Sequence, residues 1–370
     1  MKDTTAAPRL DFVDRYRGFL ITLVVVIHVS ITYGASGSWY FSESHDVFWV
    51  KAVGSLLCAL SQSFSLGAFF FLSAYFLPGS LARHGTRALL RERLVRLGIP
   101  FVVFYFILNP LLVMAVSALA WGTPYGLGPW FGSGPLWFVE ALFIFTLVYV
   151  GARGIARRRG GAQNDAPKGP PGDGAILLYI VVAGALGFAA RILFPIGWTV
   201  SNLQLGFFPM YIMLFAVGLR AGREGWLRDV ATRRIGLWIG LAAAGIVLFP
   251  VALTLGGGQK DVAPFLGGLT WQNAVYAFWE ALTGTSLFMT TLVLFARGRW
   301  RATGLGASFG RSSYGIYVLH AVVIIFVGLA MLHVPLHPAL KWCILLSVGV
   351  CGSWIVTVVL KRIPGLSRIF

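Results

Sequence analysis

The chain alternates between long apolar stretches and short connecting stretches that hold nearly all of its charge. Crossing about 30 Å of hydrocarbon takes about 20 mostly apolar residues. Ten stretches approach that requirement, near 18–36, 51–77, 98–121, 135–151, 175–195, 207–220, 236–256, 273–296, 312–332 and 339–360. The pattern predicts an all-α, polytopic integral membrane protein of about ten transmembrane helices, forming one domain over residues 1–370. The first stretch follows a mixed acidic and basic segment and has no small-residue cleavage site, so it reads as a span rather than a removable signal peptide. Span lengths and motifs show no internal repeat, which weighs against an inverted-repeat transporter.

Charge gives the expected orientation. Of the 30 Lys and Arg residues, 26 lie near the termini or in alternate connections, and the other four are Lys51, Arg191, Lys260 and Lys341. Cytoplasmic connections carry the Lys/Arg excess, so both termini are expected in the cytoplasm and the protein in the inner (plasma) membrane. The longest basic connection, 152–174, is rich in Gly, Pro and charge and reads as a flexible cytoplasmic loop.

Composition narrows the function classes. The chain is 57% hydrophobic and 12% charged, with a mean hydropathy of +0.78. A net charge of +17 would direct a soluble protein to nucleic acid, but too little polar surface remains for such an interface. Cys58, Cys343 and Cys351 sit in apolar runs, so no disulfide framework is expected. His333 and His337 flank an outer turn without metal-ligand spacing, and no metal site is expected. No phosphate-binding loop, dinucleotide fingerprint or nucleophile elbow occurs.

Several constellations carry candidate chemistry. Arg17 lies at the inner boundary of the first span and His28 within it. Eleven residues give about 16.5 Å of rise and place both side chains on one helical face. Ionisable groups inside a span are rare and usually functional; a hydrogen bond to a neighbouring helix is the plainer alternative. The first inner loop, PGSLARHGTRALLRERLVRLGIPF, holds Arg93 and Arg96 three apart and Arg87 and Arg91 four apart. Paired guanidinium groups suit phosphate, although topology alone also demands arginine there. Ser313, Tyr314, Tyr317 and His320 bring polar groups into the ninth span, the last three as a stripe on one side; polar packing between helices would use the same residues. Glu140 and Glu280 fall in the outer parts of their spans, Arg191 near the outer end of its own. A buried carboxylate needs a partner or a proton, and either could pair with Arg191 or His28. His45 and Asp46 in the first outer loop could meet an acceptor or be solvated.

In LDFVDRYRGFLITLVVVIH, FFFLSAYFLPGSLARH, RERLVRLGIP, GPLWFVEALF and SSYGIYVLH, taken in that order, the chain resembles the membrane acyltransferase type 3 family, most nearly its glucan succinyltransferase branch. The family's Arg-x10-His pattern falls on Arg17 and His28, and its Arg-x-x-Arg pattern on Arg93 and Arg96. The usual Ser-Gly-Phe appears as Ser73, Ala74 and Tyr75. The resemblance implies O-acyl transfer from an acyl-CoA, most often acetyl-CoA, to a hydroxyl of an extracytoplasmic or lipid-linked glycan. The same resemblance implies His28 as general base or transient acyl acceptor, with Glu140 or Asp14 orienting or polarising it, and Arg17, Arg93 and Arg96 as the donor site; Tyr314 and Tyr317 are further donor-site candidates. Two rival readings are succinyl transfer to a periplasmic glucan, and a transporter or flippase that uses the arginines as an anion gate.

Overall fold

The computed structural model describes residues 10–123, 130–159, 169–298 and 304–370. The described residues are almost entirely helical and form no named strand; Val200 and Leu203 pair in a lone β-bridge. The helices are α1 (Asp11–Thr32), α2 (Phe48–Arg93), α3 (Ile99–Val103), α4 (Asn109–Leu119), α5 (Trp137–Arg158), α6 (Asp173–Leu193), α7 (Phe208–Glu224), α8 (Gly236–Leu255), α9 (Ala263–Leu266), α10 (Trp271–Arg297), α11 (Leu305–Arg311), α12 (Ser313–Met331) and α13 (Pro338–Leu360). Each of the ten expected spans falls on a helix or a near-continuous helical run. By length and apolarity, eight helical segments among the described residues can cross a membrane. One of them, Phe48–Leu119, runs 72 residues and contains the second and third expected spans. The amphiphilic α1, with Asp11, Asp14, Arg15 and Arg17 in its first turns, stands outside that count.

Two connections expected as loops differ. Residues 78–97 are helical throughout, broken only at Gly85, whose φ of 75° is left-handed. A residue without Cβ adopts that conformation at little steric cost, so the helix kinks there and a second helical run begins at once. That run carries Pro100 and Pro110. π-helical turns at Leu94–Gly98 and Phe104–Leu108 flank α3 and lead into α4, widening the ladder where proline removes a donor and crowds the preceding turn. The 152–174 loop is shorter than expected, because α5 continues to Arg158 and α6 starts at Asp173; its residues 160–168 lie outside the described residues.

The central mast is α2. A Cβ at Gly218 of α7 would stand 2.4 Å from the Phe71 carbonyl, and one at Gly222 would stand 2.0 Å from that of Tyr75. Backbones that approach this closely tolerate only glycine, the usual device for helix contact in lipid. Ala74, where the family's glycine would stand, packs on the same seam opposite Gly218. On its other side α1 packs against α2, α12 and α13. The short α11 lies across the start of α1, with Phe309 over Gly18 and Gly310 against the Asp14 carbonyl.

Candidate active site

The middle of α1 delivers His28 to a cluster of rings. Because α1 is unbroken from Asp11 to Thr32, the Arg17–His28 rise of about 16.5 Å stands. The His28 ring lies 3.9 Å from Trp39 and 5.1 Å from His320, centroid to centroid, at interplanar angles of 21° and 23°. Trp39 and His320 are 6.4 Å apart. His28 is half-buried, and its Nδ1 is enclosed without a partner. His320 is wholly buried. Its Nδ1 meets the Tyr317 carbonyl at 2.5 Å. A carbonyl only accepts, so this nitrogen carries the proton and Nε2 the lone pair. That Nε2 has no partner. Two imidazoles therefore face one another with nitrogens uncommitted to the protein.

The stripe on α12 separates by depth. Tyr314, nearest the arginine-rich end, donates its hydroxyl to the Arg96 carbonyl at 2.5 Å, and the Arg96 guanidinium lies over the Tyr314 ring at 5.7 Å. Tyr317, one turn deeper, donates instead to the Pro135 carbonyl in the turn just before α5, and its ring is 5.8 Å from His320. The two tyrosines, grouped together in the sequence, thus serve different parts of the site: Tyr314 the cations, Tyr317 the imidazoles.

Arg93 and Arg96 come together where the first π-helical turn begins. The Arg93 Nε is buried without a partner, while Arg96 is exposed. Arg17 lies over the Phe76 ring at 5.2 Å and 3.7 Å from the Asp14 carboxylate. Its neighbour Arg15 is structural, donating to the Gly298 carbonyl at 3.1 Å. Arg87 and Arg91 are exposed on the helical run after Gly85.

Glu140 is not brought to His28. It makes no hydrogen bond or ion pair among the described residues. At 100° per residue it projects on the side of α5 shared with the exposed Ile144 and Leu147, away from Phe138, Ala141 and Leu142, which face the core. The partner of Arg191 is Glu280: the pair is hydrogen-bonded and almost wholly buried, with Phe207 and Tyr276 rings 5.0 and 5.1 Å from the guanidinium. Asp14 stays beside Arg17, about 21 Å of helical rise from His28. His45 is engaged locally, its Nε2 2.9 Å from the Tyr33 carbonyl.

Sequence reasoning missed the far wall. The connection between α1 and α2 folds inward, so that Trp39 stacks on His28 and Tyr40 donates to the Asn109 side chain. Asn109 in turn donates to the Trp130 carbonyl at 2.7 Å. The only signal for this was the aromatic content of an otherwise uncharged connection.

A polar track thus runs through apolar helices from a cluster of guanidinium groups to paired imidazoles. A family model described as an acyltransferase domain matches residues 10–358. Among curated proteins, the chain is similar to glucans biosynthesis protein C of Salmonella heidelberg (strain SL476), 23% identical over 348 residues, covering 87% of this chain and 84% of that protein. The same figures hold for the proteins of that name from Salmonella agona (strain SL483) and Salmonella dublin. This chain belongs to the membrane acyltransferase type 3 family and is a multi-pass integral membrane protein.

Proposed function

We propose that this acyltransferase takes an acyl group, acetyl in the first instance, from an acyl-CoA on the cytoplasmic side and passes it to a hydroxyl of an extracytoplasmic or lipid-linked glycan. The observation that carries the reading is the order of groups along α1 and α12: cations at one end, Tyr314 and Tyr317 between, and His28 facing His320 in mid-span. Arg17, Arg93 and Arg96 bind donor phosphates, for which a guanidinium fork is well matched. The pantetheine arm, comparable in reach to the rise from Arg17 to His28, carries the thioester to the imidazoles.

There a neutral imidazole accepts the proton of the acceptor hydroxyl. The hydroxyl oxygen attacks the thioester carbonyl, the C–S bond breaks, and the proton passes to the departing thiolate. General-base assistance of this kind contributes about 10²–10⁴-fold. His28, half-buried, is the base in this scheme. His320, its Nδ1 hydrogen-bonded to the Tyr317 backbone, keeps an Nε2 lone pair uncommitted beside the ring of His28. Trp39 closes the far side, and the acceptor approaches past it.

The name shared by the relatives supports a glucan acceptor. Succinyl in place of acetyl is the second reading, favoured by the same likeness. Mass spectrometry of glycans from deletion and complemented cells tests both: an acyl group lost on deletion and restored by the gene is expected, and its mass identifies acetyl or succinyl. Glycans and lipids unchanged in both strains would refute acyl transfer, and an accumulated but unmodified substrate would point to transport.

A further inference from the structure

The arginine-rich end contains two cations that neither motif includes. Arg311 ends α11, and Lys361 follows the last residue of α13. The Lys361 ammonium donates to the Arg311 carbonyl at 3.1 Å and to the Ser312 hydroxyl at 3.2 Å, which leaves one of its three N–H donors uncommitted. The Arg311 guanidinium is exposed and makes no bond among the described residues. Burial, with Arg96 and Arg311 close by, pushes the Lys361 ammonium below its ordinary pKa. None of Arg93, Arg96, Arg311 and Lys361 forms an ion pair among the described residues; only Glu92, the chain neighbour of Arg93, offsets part of that charge. Cations from three separate helical runs thus sit close together, and each disfavours the charge of the others.

Their order along α12 assigns the anion. From the imidazoles outward the groups run His320, Tyr317, Tyr314 with Arg96 and Arg93, then Arg311 with Lys361. Each step from His320 to Tyr314 is three residues, about 4.5 Å of rise. An acyl-CoA presents its parts in the same sequence: thioester, pantetheine, pyrophosphate, and last a ribose 3′-phosphate. The pyrophosphate falls to Arg93 and Arg96. We propose that Arg311 and Lys361 form a separate subsite for a terminal phosphomonoester, the 3′-phosphate of coenzyme A. The inference rests on the acyl-CoA reading above. It deepens that reading by setting the donor class: a free CoA thioester has this group, whereas a phosphopantetheine arm attached to a carrier protein lacks it.

The test is equilibrium binding of CoA and of 3′-dephospho-CoA to the purified full-length protein in detergent. The wild type should bind CoA roughly ten- to a hundredfold more tightly, as charge-assisted contacts at one phosphate provide. Arg311→Gln and Lys361→Gln should each erase much of that preference while leaving dephospho-CoA binding unchanged, which also shows that the variants are folded. Because the Arg311 guanidinium supports nothing else in the fold, its variant is the cleaner of the two. Arg96→Ala should weaken both ligands alike. Equal affinity of the wild type for the two ligands, or variants that weaken both equally, would overturn the subsite and leave the donor reading standing. A wild type that binds neither would overturn the donor reading along with it.

Discussion

Cations in this helical bundle are held in two opposite ways. At the end that carries few of them, each buried cation has its own carboxylate: Arg191 is hydrogen-bonded to Glu280, and Lys341 meets Glu43 at 2.6 Å while only 2% exposed. At the arginine-rich end, Arg93, Arg96, Arg311 and Lys361 gather without an ion pair, touching a tyrosine ring and backbone carbonyls. A compensated charge holds helices together and attracts nothing further. In an uncompensated cluster each cation disfavours the charge of the others, and an arriving anion relieves this. The same residue types therefore serve as mortar in one setting and receptor in the other, and the arginine-rich end holds both, since Arg220 pairs with Glu224 and Arg233 with Asp173 there.

The largest expected effect lies between the two ends. His28→Gln keeps a hydrogen-bonding side chain of similar reach but cannot take a proton, so turnover should fall about 10²–10⁴-fold with CoA affinity and melting temperature unchanged. An active variant would reduce His28 to packing and pass the role of base to His320. Next, Glu280→Ala leaves a charged Arg191 buried without its partner, and removing one member of such a pair costs about 3–5 kcal/mol. Thermal unfolding in detergent should show that loss, and the double replacement Arg191→Leu with Glu280→Leu should recover most of it. A stable Glu280→Ala protein that is catalytically dead would move this pair from structure to chemistry and break the comparison.

Smaller effects sharpen the other side of it. Arg93→Ala or Arg96→Ala removes a charge-assisted phosphate contact, worth about 1.5–3 kcal/mol. The loss should appear in the donor KM, with kcat and melting temperature little changed, and Arg96→Lys should rescue only part because an ammonium lacks the bidentate fork. A change in kcat alone would make these arginines topological rather than ligand-binding. Finally, in a background without Cys58, Cys343 and Cys351, cysteines at Gln259 and Gly172 should report which end is which. A membrane-impermeant thiol reagent applied to intact cells should mark position 259 and spare 172, as the Lys/Arg asymmetry requires. The reverse pattern would place the unpaired cations outside, away from any cytoplasmic CoA.

Much of this architecture was legible because lipid imposes a simple rule on sequence: apolar runs must be long and helical, so the all-α polytopic fold could be read directly. The Arg17–His28 face and the Tyr314, Tyr317, His320 stripe were equally legible, since helix geometry fixes both. Contacts between distant segments were not. Nothing local distinguishes Glu140 from Glu280 as the partner of Arg191; the choice depends on α10 packing beside α6. The inward fold of Trp39 is invisible for a similar reason, as a connecting segment has no periodicity to betray its facing. Residues 78–97 misled because an arginine-rich stretch reads as a solvated loop, whereas charged residues there decorate a helix that merely turns at Gly85.

The glycine seam between α2 and α7 also bears on how the protein is made. The Gly218 and Gly222 backbones rest against carbonyls of Phe71 and Tyr75, residues synthesised well over a hundred positions earlier. Until α7 leaves the ribosome, the mast waits in the bilayer with its closest-fitting surface against lipid, and His28 stands in a half-built chamber. Nascent chains cut short before Phe208 would expose that surface permanently, and membrane quality control would meet them as unassembled helices. Biogenesis thus sets the moment at which catalysis becomes available, because the N-terminal segment that holds the histidine is finished first and becomes useful last.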